Sequence, residues 1–534
     1  MRTDEAPRDA TGAAGAAPSR IDDGTVPGFR APSLTHAVAV GAVTRYAARV
    51  WFASRRPGRV EVSCRRADDD SPVTRVVAEI LPGQGRDNTC CVTLPVPGSD
   101  AALVPGTHYR FRAVHGADGT LLGEGRFETA PRDADSAPDR FSIALISCNQ
   151  PFDDDGAVAA AGERMLKAMQ SCLREHHTKL VLTVGDQMYT DYPQPLSLFD
   201  DDYFRRVAPR GRASLLDCTR DEVRHLLQQR YRLFWNVPGW RALHAEYPCY
   251  PILDDHELVD NWGSVPAHAT ARWAPFIAGA RAAYHDYEGS RIADGGEAPR
   301  DFDYEVEYGP TAIYVLDLRS NRQVGKHARI FAADQLERFE DFLARHRDKA
   351  VLQVVLSVPA IHLPRWTARV AHILSPCPNE DFADRWSTAG HVADRDRVLA
   401  LLHAHQRQYP HQRILLQSGD IHIACAHSIA WDDGVRPLWQ FVSSGITNQV
   451  GPLTQWLSKM SILANRRLEL HDGARAADVR LLAGTDGAEC NPYTGLNFGL
   501  IEFRREQGGR YAMRLAIHGE RDAAPVCHFR SDWQ

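Results

Sequence analysis

The pattern of hydrophobic and polar residues changes near residue 131. Before it, short segments alternate apolar with polar residues, as Tyr109 and Phe111 do with Arg110 and Arg112. Such alternation is typical of strands with one buried face. Residues 132–140 are rich in Asp and Ala and indicate a linker. Beyond them, continuous apolar segments alternate with helical ones, which predicts an α/β region after an all-β one.

The all-β region spans residues 33–131. The predicted strands are His36–Thr44, Ala47–Ala53, Val60–Cys64, Val73–Ile80, Thr89–Val96, Thr107–Val114 and Gly125–Thr129. Seven short strands with frequent turns predict a β-sandwich of the fibronectin type III or immunoglobulin kind. Such a sandwich serves either as a binding module or as a packing domain, and the sequence carries no functional signal here. Residues 1–32 are predicted to be a disordered tail.

The α/β region spans residues 141–534. Its predicted strands are Phe141–Ile146, Lys179–Val184, Tyr250–Leu253, Thr311–Leu316, Val351–Ser357, Ile414–Gln417, Gly495–Phe503 and Tyr511–His518. Its predicted helices are Ala157–His176, Asp221–Phe234, Asp334–His346 and Asp394–His405. Apolar runs without polar alternation favour buried parallel strands. Residues 451–490 carry no clear signal for either element.

Polar clusters follow four of these strands. They are Ser147-Cys148-Asn149, Gly185-Asp186-Gln187-Met188-Tyr189, Asp254-Asp255-His256-Glu257 with Asn261 close behind, and Ser418-Gly419-Asp420-Ile421-His422. Each alone has a simpler interpretation, such as a core thiol, a turn or a helix cap. Because the carboxyl ends of strands in an open α/β sheet meet at one crevice, four such clusters together predict a functional site.

The types of side chain indicate two unlike metal ions. Hard oxygen ligands come from Asp186, Asp255, Asn261 and Asp420. Tyr189 as a phenolate and Cys148 as a thiolate suit a trivalent or transition ion, and His422 suits iron or zinc. A carboxylate such as Asp186 can bridge two ions, and two ions about 3.5–4 Å apart promote in-line displacement by water.

Five short motifs follow one another along the chain in an order that is typical of one protein family. They are Ser147-Cys148, Gly185-Asp186-x-x-Tyr189, Asp254-Asp255-His256-Glu257, Leu316-Asp317-x-Arg319 and Ser418-Gly419-Asp420-x-His422. Over about residues 140 to 520 this order resembles the alkaline phosphatase D (PhoD-like) family of the calcineurin-like metallophosphoesterases. The resemblance implies an α/β fold with a four-layer core, a β-sandwich flanked by helices. It also implies a separate N-terminal all-β fibronectin-like domain.

The resemblance also implies roles for the residues. A ferric ion would be held by Cys148, Asp186, Tyr189 and His422. A second divalent ion, calcium in the best-known members and otherwise Mn²⁺, Mg²⁺ or Zn²⁺, would use Asp186, Asp420 and either Asp255 or Asn261. His256 would contact phosphate and protonate the leaving group. Arg319 and Arg322 would clamp phosphate oxygens, although surface charge is an equal alternative for Arg322.

The implied activity is metal-dependent hydrolysis of a small-molecule or polymeric phosphoester, as a phosphomonoesterase, a phosphodiesterase or both. One alternative is a phospholipase D-like phosphodiesterase of the same family, and another is a non-catalytic metal-containing binding protein. Two departures leave the substrate open. Leu253 stands where family members usually have an aromatic residue, and Thr190-Asp191-Tyr192-Pro193 replaces the usual acidic continuation.

Composition narrows the class of protein. The chain has 534 residues, 44% hydrophobic and 24% charged, which is typical of a globular protein. A net charge of −6 gives no sign of specific nucleic-acid recognition, and no apolar run is long enough to span a membrane. Met1–Arg20 lacks the features of an export signal, and eleven cysteines make an odd count, so we expect a cytoplasmic protein. The oligomeric state stays open.

Overall fold

The computed structural model describes residues 25–99, 102–293, 297–323, 328–364, 384–388 and 390–534. Its first strands are β1 (Ala37–Val43), β2 (Ala48–Ala53), β3 (Gly58–Arg66), β4 (Pro72–Ile80), β5 (Thr89–Leu94), β6 (His108–His115) and β7 (Leu121–Glu128). They form antiparallel sheets in the orders β1-β2-β5 and β4-β3-β6-β7. One hydrophobic cluster, which includes Val40, Val50, Val62 and Phe111, contains residues of both sheets. The seven strands predicted here are confirmed, with ends shifted by a few residues.

This β-region packs closely on the helices that follow it in the chain. The Trp51 side chain is buried, and its Nε1 donates a hydrogen bond of 2.8 Å to the Asp286 carbonyl oxygen. The Arg49 guanidinium donates to the Ser290 carbonyl oxygen at 2.7 Å. Trp51 also belongs to the same hydrophobic cluster as Trp235 and Tyr287, and its ring centroid lies 4.6 Å from that of Trp235. These contacts make the β-region part of one packed structure.

The later strands are β8 (Arg140–Ile146), β9 (Thr178–Thr183), β10 (Cys249–Pro251), β11 (Tyr304–Tyr308), β12 (Thr311–Val315), β13 (Val351–Val355), β14 (Arg413–Ser418), β15 (Cys425–Ala430), β16 (Leu438–Val442), β17 (Arg467–Glu469), β18 (Arg475–Leu481), β19 (Phe498–Arg505), β20 (Tyr511–Arg521) and β21 (Ala524–Arg530). One sheet has the order β10-β9-β8-β19-β20-β21, and the other has the order β11-β12-β13-β14-β16-β15-β18-β17. Strands β8 to β10 are parallel in the first sheet, as are β12, β13, β14 and β16 in the second.

The described helices are α1 (Ala160–Glu175), α2 (Asp201–Val207), α3 (Arg220–Trp235), α4 (Pro238–Glu246), α5 (Ala274–Tyr287), α6 (Ala333–Arg345), α7 (Val392–Gln408) and α8 (Pro452–Ala464). Helix α6 shows why they pack on the sheets: Leu336, Phe339 and Leu343 recur at helical spacing and are buried. Helix α3 begins with a capping box, in which the side chains of Thr219 and Glu222 each accept from the other's backbone N–H.

The core divides the later region into layers. One hydrophobic cluster joins the facing sides of the two large sheets, with Leu145 and Ile501 from one and Val355 and Leu415 from the other. A second cluster packs α1, α3, α4 and α5 on the six-stranded sheet, and a third packs α6 and α7 on the eight-stranded sheet. The order is therefore helices, sheet, sheet, helices, in a mixed α/β fold.

Several elements differ from those predicted. Residues 451–490, left without an element, contain α8, β17 and β18. The elements that were not predicted elsewhere are α2, α4, α5, β11, β15, β16 and β21. The predicted βα repeat holds only for part of each sheet, because β11, β15 and β17 to β21 run antiparallel to their neighbours. Among the described residues, no helix is both long and apolar enough to cross a membrane.

Candidate metal centre

The four predicted clusters lie just beyond the carboxyl ends of β8, β9 and β10 in one sheet and β14 in the other. Because the two sheets face each other, these ends meet at one edge of the sandwich. Cys148, Asp186, Tyr189, Asp255 and Asp420 all stand in the loops that leave these strands. The convergence predicted from the sequence is confirmed for the strand ends, although it joins two sheets instead of one.

Five of the predicted ligands have a left-handed backbone. The φ angles are 57° at Cys148, Asp186 and Asn261, 67° at Asp420 and 51° at His422. Such angles cost a non-glycine residue about 1–3 kcal/mol and persist only where the surroundings enforce them. Among the described residues, every buried non-glycine residue with a positive φ belongs to this set. Backbone strain is therefore concentrated at the candidate ligands.

Glu257 holds the turn that carries Asp186. Its buried carboxylate accepts hydrogen bonds from the backbone N–H groups of Asp186 (3.2 Å), Asp254 (2.8 Å) and Gln187. Burial raises the pKa of Glu257 to about 8. Gly185 in this turn has a φ of 96°, and a Cβ there would lie 2.6 Å from the Asp254 Cβ, so no larger residue fits. The glutamate of the motif is thus a structural residue.

Three acidic groups meet at one point. The Asp186 Oδ2 atom lies 3.2 Å from Cys148 Sγ and 3.2 Å from the Tyr189 hydroxyl oxygen. Burial raises the pKa of the Cys148 thiol. Burial and the neighbouring thiolate raise the pKa of Asp186 well above its usual range, and burial and Asp186 do the same for Tyr189. Each anion destabilises the others, so this set fits a bound cation, which would favour all three anionic forms.

His422 lies in the loop that follows β14. Its Nδ1 atom is buried and has no hydrogen-bond partner. Burial and the neighbouring His256 lower the pKa of His422 to about 4, so the imidazole is neutral, as a metal ligand must be. The Ser444 Oγ atom accepts from the His422 backbone N–H at 2.8 Å and lies 3.1 Å from Cys148 Sγ, so Ser444 connects the two residues. An orphaned, neutral imidazole nitrogen fits a ligand of a transition metal.

A second group of oxygens lies alongside. Ligand atoms of Asp254, Asp255 and Asp420 lie within 4.8 Å of one another, and so do those of Asp186, Asp255 and His256. Asp255 therefore belongs to both groups. The Asn261 backbone N–H donates to Asp255 Oδ2 at 2.7 Å, which fixes that carboxylate. The oxygen-rich set fits a hard divalent ion.

Asp420 forms an ion pair that the sequence did not predict. The Arg385 guanidinium donates to Asp420 Oδ2. Arg385 belongs to a short described stretch, residues 384–388, far along the chain from any of the strand ends. Its side chain is 14% exposed, so it lies at the rim of the centre and not inside it. No strand-end signal marks Arg385, which is why sequence reasoning missed it.

His256 is oriented by a carboxylate. Its Nδ1 atom lies 2.8 Å from Asp191 Oδ1, and its ring stacks on Tyr189 with centroids 4.2 Å apart. The other Asp191 oxygen accepts from the Asp260 backbone N–H at 2.7 Å. Burial opposes protonation, but Asp191, Asp186 and Asp255 together raise the pKa of His256 well above its usual value. The contact of Asp191 with His256 was not predicted, because in the sequence Asp191 stood out only as part of a departure from the family pattern.

The two predicted phosphate-binding arginines are paired with buried carboxylates. Arg319 is completely buried, where it donates to Asp384 Oδ1 (2.6 Å) and to Asp254 Oδ1 (2.5 Å). Arg322 is 6% exposed and lies 3.1 Å from Asp384 Oδ1. Their guanidinium groups bind carboxylates inside the protein instead of facing the crevice. Two cations packed on Asp384 hold the pKa of that carboxyl far below its usual value, although burial opposes this.

The remaining contacts of Arg319 show what it does. Its Nη2 lies 3.3 Å from Asp255 Oδ1, and its Nη1 donates to the Trp262 carbonyl oxygen at 3.1 Å. Arg319 therefore connects Asp254, Asp255 and Asp384 from behind the centre. Removing it would leave Asp254 and Asp255 without this buried counter-ion and Asp384 with Arg322 alone, which is strongly destabilising. Its position is that of a supporting residue for the second group of oxygens.

Comparisons with known proteins place this chain among phosphatases. The family model described as PhoD-like phosphatase matches residues 143–479. The solved structure titled "Structure of PhoD" is similar with a TM-score of 0.59 at 16% identity, covering 94% of this chain and 93% of that one. A β-glucuronidase 2 from Bacteroides uniformis covers 90% of this chain and 60% of its own, at 10% identity and a TM-score of 0.23, too low to indicate a shared fold. No curated protein sequence matches the chain.

Proposed function

The chain belongs to the family of PhoD-like phosphatases, and from this premise we propose that it hydrolyses phosphoric esters at the metal centre between the two large sheets. The observation that carries the proposal is the meeting of Cys148, Asp186 and Tyr189 at one buried point. Three acidic groups that mutually resist ionisation serve no structural purpose without a cation. In a metal-dependent hydrolase, the bound metal ion would be that cation.

We assign the ligands by their contacts. Cys148, Asp186, Tyr189 and His422 would hold a ferric ion, since a thiolate and a phenolate suit a trivalent metal. Asp186, Asp255 and Asp420 would hold a second divalent ion, with calcium first because every ligand is a hard oxygen. Asp186 can serve both ions, because its Oδ2 faces Cys148 while its Oδ1 accepts from the His256 backbone N–H at 3.4 Å. When bound, such ions neutralise phosphate charge and make water a better nucleophile.

His256 would supply the proton that the leaving oxygen needs. Asp191 accepts from Nδ1–H, which leaves Nε2–H as the proton that can be donated toward the crevice. Although burial opposes it, Asp191 raises the pKa of His256 and so favours the protonated imidazole. The stacked Tyr189 ring on one side and the edge of the Tyr192 ring, 5.6 Å away between centroids, hold the imidazole plane. The same proton serves a monoester or a diester, since both release an alcohol.

Arg385 would bind phosphate in place of the arginines predicted from the sequence. It is the partly exposed partner of Asp420, a proposed ligand of the second ion. An ion on Asp420 would compete for that carboxylate and release the guanidinium. A free guanidinium at the rim can clamp two phosphate oxygens. Arg319, by contrast, would position Asp254 and Asp255 without touching substrate.

The test is hydrolysis of a panel of aryl phosphate monoesters and diesters by the purified protein, with metal content measured on the same samples. We expect turnover of at least one of the two ester classes, and strongly reduced turnover in the His256→Ala variant prepared in parallel. That variant serves as the control for contaminating phosphatases. A protein loaded with both metals but inert on every ester of the panel would contradict the proposal and favour a non-catalytic role.

A further inference from the structure

A second cluster of possible metal ligands lies away from the proposed active site. Ligand atoms of Cys172, His176 and His518 lie within 4.8 Å of one another, and the residues are buried apart from a partly exposed His176. Cys172 and His176 are separated by one helical turn at the carboxyl end of α1, and His518 stands on β20. Strand β20 is separated by β19 from β8, the strand that leads to Cys148.

The spacing of the atoms fits a tetrahedral ion. The Cys172 Sγ atom lies 3.6 Å from His518 Nδ1. Two ligand atoms bound to zinc at about 2.0–2.3 Å with a tetrahedral angle lie about 3.5 Å apart. The rings of His176 and His518 stand edge to face with centroids 5.6 Å apart, so both imidazoles border the same space. The Cys172–His518 pair therefore has the separation that a zinc ion requires, and His176 lies within 4.8 Å of both.

The surroundings of His176 are those of a metal-bound histidine. Its Nδ1 atom lies 2.9 Å from Glu502 Oε1, and Arg514 Nε donates to the other Glu502 oxygen at 2.6 Å. A carboxylate that accepts from one imidazole nitrogen makes the other a better and better-oriented metal ligand. Here that other nitrogen is Nε2.

A fourth ligand stands opposite His518. Across the β20–β21 pair, His518 faces Cys527 at a β-bulge, and directly opposed residues project to the same side of a sheet. The Cys527 Sγ atom now donates to the Phe529 carbonyl oxygen at 3.2 Å. Cys527 also packs against the hydrophobic cluster that contains Cys172. The set would then be two cysteines and two histidines, a common combination in structural zinc sites.

Packing alone does not account for the cluster. The His518 side chain is 3% exposed, and its Nε2 atom has no hydrogen-bond partner. A buried polar atom left unpaired costs about 1–3 kcal/mol, so an apolar residue would pack here at lower cost. The stacked Phe498 ring, 5.3 Å away between centroids, provides such an apolar environment. Coordination through Nδ1, the atom that lies 3.6 Å from Cys172 Sγ, gives this histidine a reason to be present, while Nε2 stays unpaired.

We propose that Cys172, His176, His518 and Cys527 bind one zinc ion that joins the end of α1 to β20 and β21. Binding converts each thiol to a thiolate, and the displaced protons pass to solvent. The site would be structural, because its four protein ligands would fill a tetrahedral coordination shell and leave no position for a substrate. It is independent of the proposed phosphoester hydrolysis.

The test separates this site from the one that contains Cys148. Full-length Cys148→Ser protein is stripped of metal, and Co²⁺ is added as a spectroscopic substitute for zinc. We expect the cobalt-loaded variant to show thiolate-to-cobalt absorption. When zinc is added to the stripped variant instead, we expect about one zinc ion per chain to bind tightly. Both should be lost in the Cys148→Ser/Cys172→Ser double variant. The matched control is Cys148→Ser/Cys425→Ser, which changes another buried free cysteine, and it should keep both.

A second variant guards against misfolding of the first. His176→Gln changes a partly exposed side chain, and this protein should fold and keep its phosphatase turnover. Added zinc should raise the melting temperature of the stripped wild-type protein by more than that of stripped His176→Gln, in which only the strand-end centre can bind it. The proposal is overturned if zinc stabilises both proteins equally. It is also overturned if the Cys148→Ser protein binds no tight zinc, or binds as much zinc after Cys172 is replaced.

Discussion

The two clusters of possible ligands differ in the backbone that carries them. At the strand-end centre, Cys148, Asp186 and Asp420 stand in loops with left-handed φ angles. In the cluster under α1, Cys172 lies within a helix and His518 lies on a strand beside a β-bulge, neither with a positive φ. Helical spacing and strand pairing place the second set of ligands without left-handed residues, whereas the first set depends on them. Backbone strain therefore distinguishes the proposed catalytic centre from the proposed structural zinc site.

The two clusters also differ in charge. The strand-end centre gathers acidic groups whose pKa values are raised by burial and by one another, including Asp186 and Tyr189. The cluster under α1 holds two thiols and two imidazoles, with its carboxylate, Glu502, already paired with Arg514. The side chains of the strand-end centre would suit highly charged ions, and those of the cluster under α1 would suit one zinc ion. The predictions below test the roles assigned to residues of the strand-end centre.

The largest expected effect is that of Asp186→Asn. We expect both metals to be depleted and turnover to fall by about 10³-fold or more, because an amide cannot bridge two cations with a shared negative charge. Elemental analysis and turnover are measured on the same samples. The matched control is Asp522→Asn, which changes an exposed aspartate with a similar φ of 53°. Retention of both metals by Asp186→Asn would place the bridge elsewhere.

The next effect is that of His256→Ala. Turnover should fall about 10²–10⁴-fold while both metals stay bound, because the proton donor acts chiefly in the transition state. The exposed His108 provides the control variant, His108→Ala, which should keep full turnover. Loss of metal from His256→Ala would show instead that His256 is a ligand.

A smaller effect is expected from Asp191→Asn. Asp191 is the first of the groups that raise the pKa of His256, so its loss lowers that pKa. Activity that needs protonated His256 is lost as pH rises through this pKa, so the decline should begin at lower pH in the variant. Turnover at neutral pH should fall about 10–100-fold. An unchanged pH profile for turnover would mean that Asp191 does not orient or charge His256.

The smallest effect on turnover is expected from Tyr189→Phe. If the thiolate-bearing site holds a ferric ion, the phenolate gives the protein a visible charge-transfer band, and this variant should lose it while keeping most of its iron. Absorbance and iron content are compared with Tyr192→Phe, which changes a neighbouring exposed tyrosine. A visible band that survives in Tyr189→Phe would remove the phenolate from the ligand set.

Much of the centre could be read from the sequence because its ligands are local to strand ends. Cys148 and Asp186 each follow an apolar strand within a few residues, so pattern and chemistry coincide. The carboxylate partners of Arg319 could not be predicted, because its motif shows its distance from a strand and not which way it faces. Its partner Asp384 comes from a distant part of the chain, and such pairings depend on tertiary packing.

The fold shows the same limit. The seven strands of the N-terminal region could be predicted because their alternation is a local property. The division of the later strands between two sheets could not be predicted, because it depends on distant pairings. Strand β8 pairs with β19, and more than half of the chain lies between them. Strands such as β17, with three residues, are too short to carry a periodic signal. That the β-region is a fibronectin type III-like domain with boundaries at 33 and 131 stays a prediction.

The central claim is that the strand-end centre works through bound metal. The most direct measurement is turnover of an aryl phosphate ester by protein that has been exhaustively chelated, with metal content determined on the same sample. We expect turnover to disappear with the metal and to return when a divalent ion is added, since the oxygen-rich second site should exchange its ion more readily than the thiolate-bearing one. Full turnover in protein confirmed to hold no metal would contradict the account.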